Sequence, residues 1–196
     1  MKIVALSQRV DPLPKRDEVR DAIDQRLINF ILQCGGLSVP VPNTISELGY
    51  LSRWLKIVKP DAIILSGGES IGSCSDRDHT EYNLLDYAEG NKLPVLGICR
   101  GMQFMGVRGG AELKPVDKHI NVRHSLSGQV NGLVNSYHAL SLSKLPTIFI
   151  ELACSEDGEI EAISHKSLPW EGWMWHPERD KKIDKINNLR LKKIFK

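Results

Sequence analysis

Apolar residues come along the chain in short runs, separated by polar stretches rich in glycine and proline. Ile3 to Leu6 has the pattern of a buried strand, and the polar, proline-punctuated SQRVDPLPKRD that follows reads as a loop. From Asp17 to Gln33 the positions Val19, Ala22, Ile23, Leu27, Phe30 and Ile31 recur at helical spacing, with Gly35 and Gly36 as the stop signal. Leu37 to Val41 is a second strand, Ser46 to Val58 a second helical pattern, and Asp61 to Leu65 a third strand ending abruptly in SGGES. His79 to Glu89 is helical again, and Pro94 to Ile98 is a fourth buried run. Strands alternating with helices predict an α/β fold whose mostly parallel central sheet carries helices on both faces. Ligands in such folds sit beyond the carboxyl ends of the strands.

The second half is less regular. Leu133 to Leu142, Thr147 to Ala153 and Glu159 to Ile163 are β-like pieces, read as antiparallel additions to the sheet. Asp180 to Phe195 sets Ile183, Ile186, Leu189, Leu191 and Ile194 among lysines and arginines, the pattern of a closing surface helix with one apolar face. With no repeat or linker in view, residues 1–196 are expected to form a single domain.

Charge and cysteine usage exclude several classes. Twenty-six basic against 24 acidic side chains leave a formal charge of +2, far short of the field that nucleic-acid or anionic-membrane binding needs. The apolar stretch near the start is too short for a secretory segment, and no later stretch is long enough to span a bilayer. Cys34, Cys74, Cys99 and Cys154 form neither a CxxC pair nor a dense framework. A cytoplasmic location is the expectation.

The chemistry concentrates in LPVLGICRGMQ, Leu93 to Gln103, where a buried strand runs through a tight turn into a helix and projects Cys99 from the strand end. Backbone N–H groups at such a helix start present positive charge, which favours a thiolate over a thiol. Gly97 and Gly101 remove side chains on either side of the turn, which a merely buried cysteine would not require.

GICRGMQ resembles the nucleophile elbow of the class I glutamine amidotransferase superfamily, and two further segments extend the resemblance. WMWHPERD is similar to that superfamily's closing motif, and SGGES to the glycine-rich turn after its third strand. The resemblance implies a flavodoxin-like α/β fold. It also implies Cys99 as nucleophile, His176 as general base and Glu178 as the carboxylate that orients it. The backbone N–H groups of Gly68 and Arg100 would hold the oxyanion, with Gly67 beside them. Arg16 to Asn43 and VNSYHALSL, Val134 to Leu142, resemble the stand-alone γ-glutamyl hydrolase branch, grouped with the C26 peptidases. That branch implies Asn135, Ser136, Tyr137 and His138 as the grip on the glutamyl α-amino and α-carboxylate groups, with Gln103 contributing from below.

Within the branch the similarity extends to hydrolysis of γ-glutamyl-CDP-amidate to glutamate and cytidine diphosphoramidate, in capsule modification. A diphosphate leaving group calls for cations, and Arg9, Lys15, Arg16 and Arg100 are the candidates, Arg9 foremost because it follows the first strand. A γ-glutamyl-polyamine or γ-glutamyl-GABA hydrolase, a glutaminase subunit of a two-chain synthetase and a non-catalytic binding protein are the alternatives. The expected partner is a small γ-glutamyl substrate rather than a synthetase, and no cofactor is expected. His119 and His124 have no third ligand at fitting spacing, so no metal is expected either, and both are expected in a loop near the cleft.

Overall fold

The computed structural model describes residues 1–47, 49–180 and 185–194. In the first half, strands and helices alternate around one hairpin. β1 (Lys2–Leu6) leads into the hairpin strands β2 (Arg9–Leu13) and β3 (Glu18–Ala22), then α1 (Gln25–Gln33) and β4 (Gly36–Pro40). Helices α2 (Thr44–Glu47) and α3 (Leu51–Val58) follow, then β5 (Ala62–Leu65), α4 (Ser75–Asn91), β6 (Val95–Ile98) and α5 (Arg100–Arg108). The second half is mostly strand: β7 (Leu113–Pro115), β8 (Ile120–Gly128), β9 (Gly132–Tyr137), β10 (Leu140–Leu142), β11 (Phe149–Ser155), β12 (Ile160–His165) and β13 (Trp170–Trp173). α6 (Lys185–Ile194) closes the described residues.

Nine strands form the central sheet in the order β4-β1-β5-β6-β13-β12-β11-β8-β9. The five from β4 to β13 are parallel; β12, β11, β8 and β9 extend them antiparallel. Side chains of a strand alternate between its faces, and the core follows that alternation. Val4, Leu6, Ile64 and Ile98 pack with Phe30 and Ile31 of α1 and Leu191 of α6 on one face. Ala5, Ile63, Leu65 and Val95 pack with α3, α4 and α5 on the other, through Leu55, Leu84 and Met102. Burial on both faces is what makes these strands continuous apolar runs rather than alternating ones.

Four sequence expectations need correction. The stretch Arg9 to Ala22 is a β-hairpin rather than a loop followed by helix, with Arg9 paired to Ala22 and Leu13 to Glu18. Val19, read as part of a helical apolar face, is exposed there. The helix starts only at Gln25, because Asp24 in extended conformation accepts a hydrogen bond from the Arg26 N–H at 2.9 Å and caps it. The pattern from Ser46 to Val58 is split into α2 and α3, with Gly49 at φ +73° between them. The histidine-bearing segment near residue 120, read as loop, is the nine-residue strand β8. Among the described residues the closing helix covers Lys185–Ile194 and Asp180 is not helical; Leu191 and Ile194 are buried while Leu189 is exposed. Ile183 and Phe195 lie outside the described residues.

Candidate active site

β6 is fully buried, hydrogen-bonded to β5 on one side and β13 on the other, and Cys99 follows directly on its last residue, Ile98. The Cys99 N–H donates to the Trp173 carbonyl at 2.7 Å and its own carbonyl accepts from the Gln103 N–H at 3.0 Å. Strand and helix thus fix the residue from both ends. Its backbone sits at φ +50°, ψ −106°, a conformation of order 1–3 kcal/mol less favourable for a residue with a β-carbon. Such strain at a strand-to-helix turn aims the side chain away from the sheet. Close packing of the turn explains the adjoining glycine: a β-carbon on Gly101 would lie 2.3 Å from the Leu65 carbonyl oxygen, so only glycine lets α5 seat on the end of β5.

Beyond β13 the chain delivers His176 and Glu178 to the same place. His176 Nδ1 lies 2.7 Å from Glu178 Oε1, and the imidazole shares the cleft with Cys99. Burial disfavours the imidazolium, yet the attraction of Cys99 and Glu178 and the hydrogen bond to Glu178 outweigh it, raising the His176 pKa to about 9. Gly67 packs flat on the ring, since a β-carbon there would come 2.6 Å from His176 Cε1. All four residues line one cleft of about 490 Å³ at the carboxyl ends of the parallel strands, with Gly68 beside them.

A buried ionic network holds the Ser66 to Gly68 turn. Glu81, fully buried on α4, pairs with Arg77 at 3.0 Å and with Arg100, and accepts a hydrogen bond from Ser7 Oγ at 2.8 Å. Ser7 Oγ in turn accepts from the Ser66 N–H at 2.9 Å, while Arg77 donates to the carbonyls of Ser66 and Gly67 at 2.7 and 3.1 Å. Arg100 also pairs with Asp78. Its guanidinium is thereby committed to α4 and is not part of the cleft lining, which corrects its reading as a cation for the leaving group. As the first residue of α5, Arg100 has no partner within the helix for its backbone N–H.

Residues 18–194 match the glutamine amidotransferase class-I family. The chain belongs to that family. Among relatives it is 32% identical over 135 residues to the γ-glutamyl-CDP-amidate hydrolase of Campylobacter jejuni, covering 66% of this chain and 68% of that one. It is 26% identical over 201 residues to the γ-glutamyl-γ-aminobutyrate hydrolase of Escherichia coli O157:H7, covering 80% and 78%. The crystal structure of a glutamine amidotransferase from Thermotoga maritima superposes with a TM-score of 0.66 at 16% identity, over 90% of this chain and 76% of that one, and so shares the fold.

In this amidotransferase-family cleft, the residues expected to grip the glutamyl group divide. Tyr137 lines the cleft and meets the His176 ring edge-on at 5.9 Å between centroids. Asn135 faces a neighbouring groove, and its amide is engaged by the His176 backbone, accepting from the N–H at 3.0 Å and donating to the carbonyl at 2.8 Å. Ser136 is fully buried and donates to the His119 carbonyl at 2.6 Å. Gln103 donates to the Leu140 carbonyl at 2.8 Å from a buried position, and His138 is buried against Glu161 at 3.1 Å. None of these last three lines the Cys99 cleft. Sequence places Ser136 and His138 beside Tyr137, but burial turns their side chains inward, and Gln103 is turned inward on α5.

Of the expected cations, Arg9 lines the cleft, ion-paired with Asp11 at 2.6 Å. Lys15 and Arg16 are exposed at the hairpin tip and do not line it. Arg179, which is not among the cations expected from sequence, does line it and stacks on Tyr137 with its guanidinium carbon 4.5 Å from the ring centroid. Its position directly after the His-Pro-Glu triplet is the signal that could have found it. Among the described residues no helix is long and apolar enough to cross a membrane.

Proposed function

We propose that the chain hydrolyses a γ-glutamyl amide through a thioester on Cys99. The observation that carries this reading is the strained Cys99 backbone facing a cleft beside His176, itself paired with Glu178. Hydrolysis of an unactivated amide requires a strong nucleophile, a proton shuttle and donors for the tetrahedral oxyanion. The Cys99 sulfur attacks the γ-carbonyl while the proton rests on His176, the state its raised pKa favours. The N–H groups of Gly68 and Arg100 receive the oxyanion, each such donor contributing about 3 kcal/mol of transition-state stabilisation. His176 then protonates the leaving nitrogen, and afterwards removes a proton from the water that cleaves the thioester.

For the leaving group we propose a nucleotide-linked phosphoramidate, giving glutamate and cytidine diphosphoramidate from γ-glutamyl-CDP-amidate. The similarity to the Campylobacter hydrolase supports it, as do Arg9 and Arg179 on the cleft wall. Asp24 and Glu69 also line the cleft, and they favour a second reading in which the leaving group is the cationic end of a polyamine. The experiment is mass spectrometry of products from γ-glutamyl-CDP-amidate, γ-glutamyl-putrescine, γ-glutamyl-GABA and glutamine, offered separately to the protein and to its Cys99→Ala variant. Rapid Cys99-dependent release of glutamate from the nucleotide substrate alone supports the first reading. Preference for γ-glutamyl-putrescine would replace it with the second.

A further inference from the structure

Three histidines and a carboxylate meet away from the cleft, where β8, β9 and β12 come together. His119 stands just before β8, His124 within it, His138 just after β9, and Glu161 on β12. Glu161 is fully buried, and His119 and His138 nearly so. Glu161 is the third ligand that sequence spacing did not reveal, because strand pairing through β11 brings it from 37 residues beyond His124.

The hydrogen-bond partners fix where the ring protons can be. His138 Nδ1 lies 3.0 Å from the Leu140 carbonyl, which only accepts, so Nδ1 carries a proton. His119 Nε2 lies 3.0 Å from an Asp157 carboxylate oxygen, so that nitrogen carries one too. In the neutral rings the lone pairs of His138 Nε2 and His119 Nδ1 then point at each other across 3.2 Å. They also point at Glu161 Oε1, at 3.1 and 3.4 Å. Three acceptors facing one another in a buried space call for a positive centre among them, either a metal ion or a proton that makes one ring an imidazolium. Glu161 Oε2 and His124 Nε2, 3.5 Å apart, are both buried without a hydrogen-bond partner.

We propose that His119, His124 and Glu161, with His138 completing the set, bind one zinc-like divalent cation. Donor atoms of His119, His124 and Glu161 all lie within 4.8 Å of one another. A tetrahedral zinc with bonds of about 2.0–2.1 Å separates its ligands by roughly 3.4 Å, close to the 3.2, 3.1 and 3.4 Å that separate His119 Nδ1, His138 Nε2 and Glu161 Oε1, while His124 has to draw in from a wider spacing. Imidazole and carboxylate donors suit zinc among borderline cations. Asp157 behind His119 supplies the carboxylate that commonly orients a metal-bound imidazole. A set of four protein ligands leaves no open position, so the ion is structural: it ties β8 and β9 to β12, behind the strand that carries Asn135 and Tyr137.

The test uses the full chain carrying Cys99→Ala, which removes the thiol that could itself hold zinc with His176. After stripping with a chelator, zinc binding is measured by calorimetry and elemental analysis, and cobalt(II) is added as a spectroscopic probe. The expected result is about one equivalent of zinc per chain and a cobalt(II) visible spectrum of tetrahedral type. His124→Ala should abolish both, and Asp157→Asn, at an exposed position, should weaken zinc by about 10- to 100-fold with the circular dichroism spectrum unchanged. Absence of stoichiometric zinc in the Cys99→Ala protein, or equal affinity in the Asp157→Asn protein, would overturn the proposal and leave the cluster held by protons alone.

Discussion

The side-chain amide of Asn135 spans the backbone of His176, its oxygen accepting the N–H at 3.0 Å and its nitrogen donating to the carbonyl at 2.8 Å. This two-point contact ties β9 to the segment beyond β13, and the two come from opposite sides of the antiparallel extension. It fixes the start of the loop that presents the imidazole to Cys99. Asn135 is therefore a positioning residue in this account, not a contact for the glutamyl group.

Replacing Asn135 with alanine should lower kcat by about 100-fold while leaving KM nearly unchanged, because a small misplacement of a reacting group has that order of effect. Steady-state kinetics on a γ-glutamyl substrate check this. A large rise in KM with kcat preserved would return Asn135 to a substrate-binding role.

The pH dependence follows from the raised pKa of His176. The imidazolium needed to protonate the leaving nitrogen is present below about pH 9 and is lost as pH rises through that value. A profile of kcat/KM should thus bend downward near pH 9 on its alkaline side. In a Glu178→Gln protein, which loses one of the groups that raise the pKa, the bend should move to lower pH. An alkaline limb that stays in place would show that another group controls it.

Glu81 should be the most sensitive acidic position for stability. Glu81→Ala leaves Arg77 and Arg100 buried with one counter-charge fewer, and breaking a buried pair in this way costs about 3–5 kcal/mol. Urea unfolding monitored by tryptophan fluorescence reads the loss. A change under ~1 kcal/mol, the size typical of exposed pairs, would mean that water reaches the network.

Burial pushes the Cys34 thiol up to about 11. At pH 8 it should be the slowest of the four cysteines to react with iodoacetamide in the native protein, as peptide mass mapping would show. Labelling of Cys34 as fast as of the partly exposed Cys74 or Cys154 would contradict its burial in the core.

The parts of the fold legible in the sequence are those whose physics is local. β1, β4, β5 and β6 follow from short apolar runs, because central strands covered on both faces need no polar alternation. The hairpin β2–β3 was illegible because nearly all its residues are exposed or half-buried and Pro12 interrupts it. α4 was legible from His79 to Glu89 but not in its first turn. Its buried face begins with Arg77, Thr80 and Glu81, of which Arg77 and Glu81 pair with each other and Thr80 donates to the Asn43 carbonyl, so none of the three is apolar. Cys99, His176 and Glu178 were legible through short motifs, and the structure brings them to one cleft. The directions in which Arg100 and Gln103 on α5 and Ser136 and His138 around the end of β9 point were not, since sequence order does not say which way a side chain turns once its element is packed. Glu161 beside His119 and His124 depends on strand pairing alone, which no local spacing encodes.

The most direct test of the account is intact-protein mass spectrometry of a reaction with a γ-glutamyl amide, quenched in acid before the first turnover is complete. The account predicts a glutamyl adduct that maps to Cys99, disappears as glutamate is released, and is absent, together with turnover, in Cys99→Ala. Glutamate release that continues undiminished in Cys99→Ala would contradict it.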